Sequence, residues 1–114
     1  MKFFTLLLAL MTLATQQLNK PYSYATEGPN TFDCSGFVIY CYKEILDIDL
    51  PRSAYDVGYI EGYEIIENID NLKAGDIVCF NTINDNDLSD HVGIYMGNYA
   101  FIHCSSGKGK VVIS

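Results

Sequence analysis

Apolar positions along the chain change period twice. From Phe3 to Leu18 they recur at helical spacing, with Leu7, Leu10, Met11, Ala14 and Leu18 on one stripe. Residues 19–33 carry Pro21, Gly28, Pro29 and Asn30 and read as an irregular loop. Helical spacing returns over 34–46. Cys34, Val38, Cys41 and Ile45 share a stripe there, and Lys43 and Glu44 fall off it. Pro51 marks a break, and residues 53–60 read as a short helix. After Lys73-Ala74-Gly75-Asp76 the pattern shortens to strands: Ile77 to Phe80 as a buried strand, then His91–Met96, Ala100–Cys104 and Lys110–Ile113. Helices first and a strand meander after predict an α+β fold in one domain spanning 1–114.

The first segment has a second reading. Lys2 followed by about a dozen apolar residues is also the pattern of a signal peptide. It is too short for a membrane span, which takes about 20 residues. Removal of residues 1–14 and retention of a first core helix are both open.

Composition narrows the partners. The chain is 49% hydrophobic and 18% charged, too apolar for a disordered segment. Seven basic against fourteen acidic residues give a net charge of −7, which argues against a phosphate-backbone binder and hence nucleic acid. The four cysteines are Cys34, Cys41, Cys79 and Cys104. No C-x-x-C pair supports a closed zinc site. Two helical turns hold Cys34 and Cys41 about 10.5 Å apart, beyond disulfide reach.

Cys34 falls where the loop ends and the helix begins. Free N–H groups and the partial positive charge of a helix start stabilise a thiolate, the reactive form of cysteine. A buried structural cysteine is the alternative. The chain has two histidines, His91 and His103, both in the predicted hairpin. With the turn centred on Asn98, opposed residue numbers sum to 196. His91 then faces Ser105, and His103 is its diagonal neighbour on the same face, about 7–8 Å away. A one-residue slip would part them. Cysteine, histidine and histidine together suit cofactor-free acyl transfer, including peptide hydrolysis.

Longer strings carry a family resemblance. Lys20-Pro21-Tyr22-Ser23-Tyr24 is followed by Gly28-Pro29-Asn30-Thr31-Phe32-Asp33-Cys34-Ser35-Gly36-Phe37. Then come Leu50-Pro51-Arg52-Ser53, Leu72 to Phe80, His91-Val92-Gly93-Ile94-Tyr95-Met96-Gly97-Asn98 and Phe101-Ile102-His103. Over roughly residues 8–114 the chain resembles the NlpC family of bacterial cell-wall cysteine peptidases. The resemblance implies a papain-like α+β fold, with the cysteine at the start of a helix packed on an antiparallel sheet. It implies Cys34 as nucleophile, His91 as general base and His103 as the polar third member. Tyr22 would help hold the oxyanion, and Asp33 and Ser35 would contact the substrate's amino end. The implied reaction cleaves peptidoglycan stem peptides, often beside γ-D-glutamate, without cofactor or metal, in the cell envelope or outside the cell. An amidase or acyltransferase of the same superfamily, or a catalytically silent wall-binding module, remains an alternative.

The chain departs from the family pattern at Ala25, Glu27, Cys79 and Cys104. Cys79 and Cys104 read as packing variants, with a redox-sensitive bond between them as the alternative. The family's last strand is expected to be missing after Ile113. That would expose a sheet edge for a partner or a further segment to cover. Asp85 to Asp90 begins like a calcium loop, but an EF-hand would need Gly at Asp90 and Glu at Met96, so a solvated loop is expected. Tyr55, Tyr59 and Tyr63 suggest either a glycan-facing groove or packing, and Arg52 either a carboxylate anchor or a structural ion pair.

Overall fold

The structure, a computed structural model, describes residues 2–82 and 89–114. Helix α1 spans Lys2–Gln16, α2 Cys34–Leu46 and α3 Ala54–Gly58, followed by a 3-10 turn at Ile69–Asn71. Strands β1 (Ile77–Phe80), β2 (His91–Gly97), β3 (Ala100–Ser105) and β4 (Lys110–Ile113) form an antiparallel sheet in chain order. The expected α+β order holds.

The α1 stripe works as a core face: Leu10 and Ala14 are buried, and Leu6 and Leu8, off the stripe, are exposed. Helix α2 is the centre of the molecule. Asp33 caps it, its Oδ1 accepting from the Gly36 N–H at 2.6 Å. Asp47 closes it in the left-handed region, with its N–H on the Lys43 carbonyl. Val38 and Cys41 are fully buried as the stripe requires, but so is Phe37, and Tyr42 is nearly so. The apolar arc is wider than one stripe because α1 and the sheet cover α2 from different sides. Each fully buried side chain of this size contributes about 1.5–3 kcal/mol.

Two expectations need correction. Strand β1 is not buried: Cys79 is exposed and its neighbours are half-buried. It is an edge strand paired with β2 alone. The β4 edge, expected to be bare, is partly covered by the chain itself. Asn19 N–H donates to the Val111 carbonyl, Val111 N–H to Lys20, and Tyr22 N–H to Gly109. This pairing also carries Tyr22 across the end of the sheet.

The β2–β3 register is the one read from the sequence as far as the turn. Ile94 faces Ile102 and Tyr95 faces Phe101, both sums of 196. The register then slips, and Gly97 faces Ala100. Asn98 and Tyr99 form the two-residue turn at φ 53° and 61°, the doubly positive pattern that matches strand twist. Asn tolerates this conformation and Tyr does not favour it. Tyr99 is held there by its N–H on the Tyr95 hydroxyl and its own hydroxyl on Asp70.

Candidate active site

Residues from the loop, α2 and the entry to β2 meet at one open cavity of about 470 Å³. Tyr22, Asp33, Cys34, Ser35, Arg52 and Asp90 are among its lining residues. Cys34 is the first residue of α2, placed there by the Asp33 cap. Gly36 is required by the loop that packs on this turn. A Cβ there would stand 2.0 Å from the Thr26 carbonyl oxygen and 2.9 Å from Asp33 Oδ1.

The Cys34 thiol is pushed up by burial. The Val92 N–H on β2 opposes this, Asp33 adds to the rise, and the N–H groups of Ser35 and Cys34 itself pull down again. The helix-start donors expected from sequence are therefore present, but desolvation outweighs them. Tyr22 is raised as well, first by burial and then by Cys34 and Asp33, which marks its phenol as a neighbour of both.

Asp33 has a second partner besides its cap. Arg52 Nη2 stands 2.8 Å from Asp33 Oδ2, and Nη1 reaches Oδ1 at 3.2 Å and Ser35 Oγ at 2.9 Å. Arg52 Nε also pairs with Glu27 at 3.2 Å. Of the two readings of Arg52, these contacts favour the ion pair. Glu27, a departure from the family strings, is the residue that closes this network on the loop side. Tyr55 borders the cavity, and its ring lies 4.7 Å from that of Tyr59.

The two histidines meet. His91 Nε2 and His103 Nδ1 are 2.7 Å apart, and the rings cross nearly at right angles. The diagonal placement on β2 and β3 is what permits this. Gly93 sits directly opposite His103, and a Cβ there would press on His103 Cβ at 3.1 Å. Phe80 pairs with His91 across β1–β2. Its ring and that of Phe101 back the histidines in a closed set of four, with centroids 4.5–5.9 Å apart. Burial lowers both imidazoles. Asp90 partly opposes this at His91, and the neighbouring His91 takes His103 further down, to about 4.

The remaining cysteines are free. Cys104 is buried and donates to the Phe32 carbonyl at 3.2 Å, and Cys79 lies exposed on β1. The segment read as a calcium-like loop falls at 85–88 outside the described residues. No described helix is long and apolar enough to cross a membrane. Sequence reading missed Ser114, whose Oγ lies 2.9 Å from His103 Nε2. The period of two along β4 was the available signal, once the register with β3 is known.

The chain is similar to known proteins over most of its length. The chain is 42% identical over 93 residues to Murein DD-endopeptidase MepH of Escherichia coli K12, covering 81% of this chain and 34% of that protein. It is 37% identical over 102 residues to Gamma-DL-glutamyl hydrolase of Bacillus subtilis, covering 89% and 24%. The chain thus spans about a third or less of these relatives. A crystal structure of an NlpC/P60 family protein from Bacillus cereus superposes with a TM-score of 0.82 at 26% identity, over 95% of this chain and 34% of that one. The sequence model of the NlpC/P60 family matches residues 19–114, and the chain belongs to that family.

Proposed function

We propose that this domain is a cysteine endopeptidase that hydrolyses peptide bonds in peptidoglycan stem peptides. The observation that carries the reading is the 2.7 Å contact between His91 Nε2 and His103 Nδ1, beside a cysteine at a helix start whose thiol meets the β2 N–H of Val92. With Nε2 engaged by His103, Nδ1 of His91 is the nitrogen left to take the Cys34 proton. A raised thiol and a lowered imidazole both favour the neutral pair. Cys34 attacks as its proton passes to His91, which acts as general base.

Attack forms a bond from Cys34 Sγ to the scissile carbonyl carbon. The resulting oxyanion takes hydrogen bonds from the Cys34 N–H and the Tyr22 hydroxyl. His91 then gives its proton to the leaving amine, the C–N bond breaks, and water releases the acyl group by the same path. Asp33 and Ser35 face the substrate's amino end, with Arg52 fixing their geometry. The relatives are named for a murein DD-endopeptidase and a γ-DL-glutamyl hydrolase. Of these bonds we favour the one beside γ-D-glutamate. Such a substrate places the working protein in the cell envelope or outside the cell.

Digestion of purified peptidoglycan, read by mass, tests the reading. Wild type is expected to release stem-peptide fragments whose masses identify the bond, and Cys34→Ala none. Equal release by both proteins would overturn the assignment.

A further inference from the structure

The sheet places a third polar side chain in line with the histidines. On β3–β4, His103 faces Val112 and Ile102 faces Ile113, sums of 215. The same register continues one step further, where Phe101 and Ser114 exchange both backbone hydrogen bonds, at 3.0 and 2.9 Å. Ser114 is therefore two residues beyond the position opposite His103 on β4. His91 is two residues short of Gly93, the position opposite His103 on β2. Strands β2 and β4 run parallel to each other, because both are antiparallel to β3. His91, His103 and Ser114 thus form one straight diagonal across three strands on one face. Two contacts link the row: 2.7 Å from His91 Nε2 to His103 Nδ1, and 2.9 Å from His103 Nε2 to Ser114 Oγ.

Proton positions along this row are not independent. For His91 to accept at Nδ1, its own proton sits on Nε2 and donates to His103 Nδ1. That requirement is the same when His91 becomes imidazolium, which carries protons on both nitrogens. His103 must then present a bare Nδ1. As a neutral ring it carries its single proton on Nε2, where it points at Ser114 Oγ. The Phe101 ring, 4.5 Å from His103, fixes the plane in which those nitrogens lie.

We infer that Ser114 is a positioning residue: by accepting from His103 Nε2–H it holds His103 in the one tautomer that leaves Nδ1 free for His91. This rests on the proposed roles of Cys34 and the histidines, and it adds the acceptor at the far end of the row. The opposite tautomer would set His103 Nδ1–H against His91 Nε2. His91 would then be protonated on the nitrogen meant to receive the Cys34 proton. Ser114 is exposed, so water replaces part of its role when it is removed, and the expected effect is moderate.

The chain's two histidines make the test direct. The full chain labelled with ¹⁵N at histidine gives ring-nitrogen signals for two residues, assigned by His103→Asn. In wild type both rings are expected as the Nε2–H tautomer. Ser114→Ala is expected to move His103 toward a tautomer mixture and to lower kcat on peptidoglycan by roughly 2- to 10-fold, with KM unchanged. Ser114→Thr, which keeps the hydroxyl, is expected to restore both. Wild-type tautomers in Ser114→Ala would overturn the inference, as would Thr failing to restore a changed spectrum. The spectra need no substrate. A domain that cleaves nothing would overturn the peptidase reading and leave the tautomer result to stand or fall alone.

Discussion

Two parts of the candidate site, a helix wall around Cys34 and a sheet wall that carries the histidines, are built on different physics. On the helix side, Cys34 is placed by charge and capping: Asp33 holds the Gly36 N–H, and Arg52 joins Asp33, Ser35 and Glu27. On the sheet side there is no ion pair in the row itself. Two imidazoles and a hydroxyl are placed by strand register and backed by Phe80 and Phe101. The first wall is fixed by contacts among residues 26–36 plus one arginine. The second needs three strands in register. One side depends on charge and tight backbone approach, the other on burial that keeps its bases uncharged.

The largest expected effect breaks the helix wall at its tightest point. Gly36→Ala puts a methyl 2.0 Å from a backbone carbonyl, which the Thr26 loop cannot yield without losing the Asp33 N–H to Thr26 bond of 2.9 Å. Overpacking costs about 1–3 kcal/mol, and contact with main chain puts this case at the upper end. A urea titration should show the loss of stability, and alkylation of Cys34 should show a displaced thiol. A wild-type midpoint would mean that the loop is not held as described.

The same contrast explains what the sequence could disclose. Asp33-Cys34-Ser35-Gly36 is a local string, and its cap, helix start and close approach are all legible within four residues. The hairpin register was legible because Asn98 marked the turn, although the turn centres half a residue later, between Asn98 and Tyr99, through a slip between Tyr95 and Gly97. Tyr99 at positive φ gave no local signal, since its hydroxyl depends on Asp70, far away in sequence. Burial was the least legible property. The helix start suggested a stabilised thiolate, and only the packed site shows desolvation outweighing the N–H groups. The cover of the β4 edge by residues 19–22 was hidden for the same reason: an irregular loop does not announce its partners.

The next prediction sharpens the sheet side. His103 is held down at about 4, whereas an unfolded histidine titrates near 6.5. Between these values the unfolded chain binds more protons than the native one, so stability rises with pH. Above about 6.5 both states are neutral at this group and its slope vanishes. As pH falls from 7 to 5 the expected loss through His103 is about 1–2 kcal/mol. His91, also lowered by burial, adds to it. Urea midpoints across this range should fall in wild type and fall less in His103→Asn. A slope unchanged by that substitution would show that His103 is not the buried neutral base described.

The smallest effect separates the two walls by salt. Arg52 is 41% exposed at its side chain, so its ion pairs are partly screened, and pairs of this kind contribute about 1 kcal/mol or less. Its fork on Asp33 and Ser35 adds geometry that an isolated surface pair lacks. Arg52→Gln should therefore lower stability by about 1 kcal/mol at low ionic strength, with the difference from wild type shrinking toward 1 M salt, where the Debye length is about 3 Å. The His103 slope arises from desolvation rather than from a long-range charge pair, and it should survive that salt. Were the Arg52 difference insensitive to salt and the His103 slope abolished by it, the assignment of charge to the helix wall and burial to the sheet wall would be reversed.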